Sequence, residues 1–346
     1  MDVATFCRKS RVLVVAGKGG VGKTTITAAL ARMAAHAGLS VLVVELEGKP
    51  GVPAAFGGSG ALRYDESQLS DVQSVPGGGT VRARRITPDD ALLEYLADHG
   101  MKRISKRLVS SGALDVVSTA IPGIRDILVL GKVKSLERQR AADLILVDAP
   151  ATGHAMTFLS SAQGLMDAAR SGPVRIQAAD VVEMLSDPDR CQVTLVTLPE
   201  EMPVNEVVEA AYALEDRIGI SLGPVIVNAC LPADPALERD PEQAASEIGI
   251  TLSHDQAAAL RSAAEFRARR FRLQEEQRGR LAAELPLPQL QAPFLFSAGI
   301  GPEQLDLLAD ELAAAVGRLP DEGARTSLSR PTAETSSTTP VDEATP

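Results

Sequence analysis

Gly17-Lys18-Gly19-Gly20-Val21-Gly22-Lys23-Thr24-Thr25 decides the fold of this chain. It follows the apolar run Val12-Leu13-Val14-Val15-Ala16 and opens a helical pattern from Thr24 to Ala37. Strand, glycine loop and helix in that order are the context a phosphate-binding loop requires. Glycines let the backbone curl until its N–H groups point inward at phosphate oxygens. The helix adds the positive end of its dipole. Gly17, Gly19, Gly20, Val21 and Gly22 therefore form the cradle, with Lys23, Thr24 and Thr25 at its helical end. Lys23 is expected to reach the β- and γ-phosphates, and Thr24 to offer its hydroxyl to Mg²⁺. Lys18 is a second lysine at the start of the loop.

Working outward, the chain has 346 residues, enough for one large α/β domain or two smaller ones. Hydrophobic residues make up 45% and aromatics only 3%, so the core is aliphatic. No run approaches the roughly 18 apolar residues of a membrane span, and the start Met-Asp-Val-Ala-Thr-Phe-Cys lacks a signal pattern. A soluble, cytoplasmic protein is expected, peripheral to the inner membrane if it serves a membrane client. A net charge of -10 gives no support for nucleic-acid binding. Cys7, Cys191 and Cys230 are far apart and odd in number, which suits a reducing compartment. Only 8 residues are Lys by count of the sequence, and two of these sit in the glycine loop, where a compact ammonium serves better than arginine.

Ser40–Leu46, Asp143–Asp148, Val193–Leu198 and Pro224–Val227 read as buried parallel strands, and Val81–Ile86 as a short arginine-bearing one. Residues 48–62 read as a loop. Helices are expected from about residue 88, from Ile124, over 155–186 with a break at Gly172-Pro173, over Val204–Arg217, over His254–Leu281 and over Pro302–Val316. Ala292–Phe296 is a candidate last strand. The implied architecture is a three-layer α/β fold: a mostly parallel sheet, helices on both faces, and a helical insert over about 88–190. Residues 1–318 then form a single domain, and 319–346, rich in Pro, Ser, Thr and Glu, a disordered tail. Ligands in such sheets bind at the carboxyl ends of strands.

A phosphate-binding loop needs an acid to hold Mg²⁺ through its water shell. Asp148, after Leu144-Ile-Leu-Val147, is the candidate. It begins Asp-Ala-Pro-Ala-Thr-Gly-His154. The doubled-lysine loop and this segment together resemble the ATPase family of arsenite-pump subunits and tail-anchored-protein targeting factors, in its bacterial anion-transporting-ATPase branch. The family's hallmark there is Asp-Thr-Ala-Pro-Thr-Gly-His. Ile121-Pro122-Gly123-Ile124, Leu198-Pro199-Glu200 and Val225-Ile-Val-Asn228 extend the resemblance over roughly residues 10–318.

The resemblance implies ATP and Mg²⁺ as ligands and a homodimer, or a heterodimer with a related ATPase. It implies that Lys18 reaches across the dimer to the partner's nucleotide, that Asp148–His154 senses the γ-phosphate, and that Asn228 faces the adenine edge. Read from residues alone, Lys18 is a solvated loop lysine, His154 a helix N-terminal residue and Asn228 a turn cap. Two positions depart from the family: its water-orienting Asp aligns with Glu47, and an Asn near the γ-phosphate aligns with Gly51. Glu47 keeps the carboxylate and is the expected water-positioning group. Its changed reach and the missing side chain at Gly51 make slow hydrolysis the expectation.

The cargo stays open. Cys191 and Cys230 read as buried hydrophobes or, in an arsenite-type pump, as metalloid ligands. Leu108, Val109, Val116, Val117, Ile121, Ile127, Leu128 and Leu130 supply either core or a client groove. The arginine-rich stretch 261–280 is a solvated face or a membrane or partner contact. The expected function is an ATP-hydrolysing dimeric switch acting on a protein or membrane-associated client. The alternatives are an arsenite or anion efflux subunit, and a weakly hydrolysing nucleotide-binding partner in a heteromer.

Overall fold

The apolar run before the glycine loop forms the middle of an eight-stranded sheet. In this computed structural model residues 1–46, 51–70, 78–98, 100 and 123–320 are described. The strands are β1 (Val12–Gly17), β2 (Ser40–Leu46), β3 (Ser67–Ser70), β4 (Thr80–Ile86), β5 (Leu144–Ala151), β6 (Cys191–Thr197), β7 (Val225–Cys230) and β8 (Gln289–Pro293). Their order is β3-β4-β2-β5-β1-β6-β7-β8. All neighbours run parallel except β3, which pairs antiparallel with β4 at one edge. The chain leaves β1 toward one side of the sheet to build β2 and later returns to its other side with β6. That reversal opens a crevice at the carboxyl end of β1, where the glycine loop lies.

Helices α1 (Val3–Cys7), α2 (Lys23–His36) and α3 (Val52–Ala55) precede α4 (Pro88–Asp98), α5 (Ile124–Arg138), α6 (Thr152–Ala168) and α7 (Pro173–Ser186). Next come α8 (Glu201–Ile218), α9 (Pro241–Glu247), α10 (His254–Glu284) and α11 (Pro302–Gly317). Strand alternation sorts the core into two halves. Val41 and Val43 of β2, with Leu144 and Leu146 of β5, pack against α1, α2, α3 and α11. Leu42, Val44, Ile145 and Val147 pack on the other face against α5, α6, α7 and α8. Each fully buried Leu or Ile side chain contributes about 2 kcal/mol, so these aliphatic layers carry the fold without tryptophan.

The mostly parallel sheet with helices on both faces expected from the sequence is present, with some changes at its margins. The stretch 48–62 contains α3, begun by Val52-Pro53, with Pro at a first-turn position that suits it. The last strand is Gln289–Pro293 rather than Ala292–Phe296. It alternates buried Leu290 and Ala292 with half-exposed glutamines, so no continuous apolar run marks it. Phe294 and Phe296 lie beyond it, exposed and edge-to-face at 4.8 Å. Asp148 does not end its strand; β5 runs on to Ala151. Short β3, α1 and α9 carry too few residues for periodicity to reveal them.

The arginine-rich α10 spans 31 residues and starts with a Ser253–Gln256 capping box. Only Ala257, Gln274 and Leu281 are buried on it, so it is a solvated face over most of its length. Ile127, Leu128 and Leu130 are buried in the main core, which removes them from a client groove. Leu108, Val109, Val116, Val117 and Ile121 lie outside the described residues, as does 321–346.

Candidate nucleotide site

The loop after β1 holds its shape through two glycines. Gly17 has φ 154°, and a Cβ there would stand 2.2 Å from the carbonyl oxygen of Val196 in β6. Gly22, the residue before α2, has φ 90°, and its Cβ would stand 2.3 Å from Nδ2 of Asn228. The first N–H groups of α2, on Lys23, Thr24 and Thr25, thus open into the loop.

Asn228 is packed on the loop itself. Its Nδ2 donates to the Val21 carbonyl at 2.9 Å, and its Oδ1 accepts from the Ala229 N–H at 2.8 Å. Ala229 has φ 58°, a left-handed conformation unusual for alanine. Gln274 of α10 secures this turn. Its Oε1 accepts from Leu231 N–H at 2.8 Å, and its Nε2 donates to the Ala229 carbonyl at 3.2 Å. Gln274 is 6% exposed. Nothing in the sequence marked it, because it stands between Leu273 and acidic residues on a mostly polar helix.

On the other side of the loop, Thr24 Oγ1 donates to Asp148 Oδ2 at 2.7 Å. Thr27 Oγ1 reaches Asp148 Oδ1 at 3.4 Å. Asp148 lies on the α2 face of β5 by alternation from Leu144 and Leu146. Burial pushes its carboxyl above the usual range, while the Thr24 hydroxyl and the Lys23 charge pull it back. Hydroxyl and carboxylate oxygens side by side at the mouth of a phosphate loop suit a small hard cation, so this donor set fits Mg²⁺. Among the described residues no cluster of three or more His, Cys, Asp or Glu forms a metal site by itself. The remaining ligands of a cation here would come from phosphate and water.

Lys23 Nζ donates to the Lys18 carbonyl at 2.9 Å, within the loop. Lys18 itself pairs with Glu206 of α8. Of the segment Asp148–His154, the first four residues finish β5 and Thr152 starts α6. His154 is exposed on the first turn of α6. Glu47 lies outside the described residues. Gly51 is described, and a Cβ on it would stand 2.5 Å from Thr24 Cγ2. The missing side chain at Gly51 is therefore a packing requirement of this chain.

Cys7, Cys191 and Cys230 are buried free thiols. Burial pushes Cys7 and Cys191 up to about 12 and Cys230 up to about 11. They behave as small core residues, in line with the sequence reading.

A family model described as anion-transporting ATPase matches residues 10–170 and 172–245, which include the glycine loop, Thr24, Asp148 and Asn228. The chain belongs to the anion-transporting ATPase family. ATPase BagA of Mycobacterium tuberculosis is 34% identical over 329 residues, covering 88% of this chain and 92% of that protein. An arsenical pump-driving ATPase of Escherichia coli is 29% identical over 246 residues, 64% of this chain and 40% of the pump protein. ATPase get3 of Schizosaccharomyces japonicus is 28% identical over 148 residues, 43% of each chain. Membership of the anion-transporting ATPase family supports ATPase activity and accounts for the glycine loop and the acid of β5. Among the described residues of this family member, no helix is long and apolar enough to cross a membrane.

Proposed function

We propose that the chain binds and hydrolyses ATP as a dimeric switch, and that its nucleotide-driven change of shape acts on a protein or membrane-associated client. The Thr24–Asp148 hydrogen bond at 2.7 Å carries this reading, because it joins the helix after the loop to the acid of β5. Loop N–H groups and Lys23 bind the phosphates, and Asn228 holds the base side of the loop in place. Thr24 and Asp148 hold Mg²⁺, which when bound neutralises developing phosphoryl charge. Lys18 serves the partner's nucleotide across the dimer, a positioned cation like an arginine finger. Glu47 orients the attacking water, and turnover is slow, because a glutamate there changes the reach of the carboxylate and Gly51 offers no side chain.

The client side rests on the relatives. The Escherichia coli relative is named as a pump-driving ATPase, an ATPase that acts on another component, and the free thiols fit a reducing cytoplasm. A metalloid-carrying role draws no support from Cys191 and Cys230, whose burial disfavours the thiolate. The decisive test is sizing chromatography with and without MgATP, alongside single-turnover hydrolysis. Wild type is expected to dimerise with ATP. Lys18→Ala should stay monomeric yet still bind nucleotide, and Glu47→Gln should bind and dimerise but not turn over. A Lys18→Ala protein that dimerises with ATP sinks the trans role of Lys18.

A further inference from the structure

Glu45 is a buried carboxylate that the nucleotide chemistry above does not use. It is 3% exposed, one residue before the end of β2. An ionised carboxylate is costly to bury unless donors meet it. Its Oε1 accepts from the Val52 N–H at 3.0 Å. The Gly51 N–H also favours its charged form, against the effects of burial and of Asp148. In the sheet, Glu45 is flanked by Asp148 on β5 and Arg85 on β4. Alternation from Val41 and Val43 puts it on the α2 face, the face of Thr24 and Asp148.

These contacts close a ring. The chain leaves β2 at Leu46 and returns at Gly51-Val52, where Glu45 grips its backbone. Gly51 is pressed so closely on Thr24 that a Cβ would come within 2.5 Å of Thr24 Cγ2. Thr24 in turn donates to Asp148, the strand neighbour of Glu45. We propose that Glu45 is a positioning residue for the metal side of the site: by anchoring Gly51-Val52 it packs Thr24 so that its hydroxyl faces the cation. Glu45 touches neither phosphate nor metal in this role. The inference rests on the MgATP reading and adds a residue to it.

A supporting group of this kind acts on the metal-dependent part of binding. Loss of one typically costs about 10–100-fold in metal affinity. The phosphate cradle, built from glycines and helix N–H groups, should be spared. Glu45→Ala removes the acceptor. Glu45→Leu does so without leaving a cavity, and serves if the alanine protein does not fold. Glu45→Gln keeps an oxygen that can accept from Val52, so it should stay within about threefold of wild type.

The experiment is binding of a ribose-labelled fluorescent ATP, first in EDTA and then over a Mg²⁺ titration, with circular dichroism and thermal melting of each variant. In the expected result, Glu45→Ala and Glu45→Leu bind the labelled ATP in EDTA like wild type. They then need at least about tenfold more Mg²⁺ for the Mg²⁺-dependent gain, and Glu45→Gln is rescued. An unchanged Mg²⁺ midpoint in the folded alanine or leucine variant overturns the proposal. So does a glutamine variant as impaired as they are. Failure of wild type to bind labelled ATP at all would instead reject the MgATP reading itself.

Discussion

Lys18, at the start of the glycine loop, pairs with Glu206 of α8 in the same chain, with side chains 36% and 34% exposed. The lysine assigned to a partner's nucleotide is thus held at home by its own helix. An ion pair this open to water contributes at most about 1 kcal/mol. Releasing Lys18 to a second subunit therefore costs little. Glu206→Ala should lower the ATP concentration for half-maximal dimerisation, by no more than about fivefold. Sizing chromatography or light scattering over an ATP titration measures this. A higher midpoint would mean that Glu206 aims Lys18 instead of retaining it.

Asp148 bears on both function and stability. Burial raises its pKa, so ionising it costs the unliganded fold more than the unfolded chain. The native state holds the proton more tightly. This group's contribution therefore becomes more favourable as pH falls through the raised folded value, and the gain is complete below the ordinary carboxylate range. At neutral pH the cost is fully present. Asp148→Asn should then melt at or above the wild-type temperature at neutral pH, with the difference fading in acid. Its Mg²⁺-dependent turnover should fall by about 100-fold or more. Melting curves across pH, run without nucleotide, check the first part, and a steady-state phosphate-release assay the second.

Gly51 explains why an asparagine cannot simply be restored here. A Cβ would meet Thr24 Cγ2 at 2.5 Å, and turning Thr24 away would break its bond to Asp148. Gly51→Ala is expected to destabilise the fold by about 1–3 kcal/mol. Gly51→Asn should weaken, not improve, Mg²⁺-dependent nucleotide binding. Urea unfolding and the labelled-ATP titration report these two effects. Faster hydrolysis in Gly51→Asn would refute the packing account.

At the opposite end of the sheet, Glu137 of α5 is 2% exposed and bridges Arg11 at 3.1 Å and Arg190 at 2.8 Å. These arginines stand just before β1 and β6. Glu137 holds the Arg190 guanidinium above its usual range. Glu137→Ala breaks both pairs and should cost about 1–3 kcal/mol of stability. Nucleotide binding should be unchanged in protein that stays folded, since the network lies at the amino ends of the strands. Denaturant midpoints and labelled-ATP binding in the same buffer separate the two outcomes.

Local pattern in the sequence was enough for much of this. Val12–Ala16 and Leu144–Val147 are unbroken apolar runs, and only strands buried on both faces need them. The glycine loop reads directly because its function is a backbone shape that few other residues allow. Asp148 was legible as an acid closing an apolar run. β8 leaves no apolar run because two of its five residues are half-exposed glutamines at the sheet edge.

What the tertiary structure alone decided concerns partners distant in sequence. Asn228 reaches Val21, Gln274 reaches Ala229 and Leu231, Lys18 reaches Glu206, and Glu45 grips Val52. None of these pairings leaves a periodic trace, since a hydrogen bond depends on where two chain segments meet in space. The nine residues from Gly17 to Thr25 thus pointed to a phosphate-binding loop and to the fold that surrounds it. Packing of β2, β5, α8 and α10 around them determined how each side chain of the site is held, because only a closed core fixes side chains to within hydrogen-bond distance.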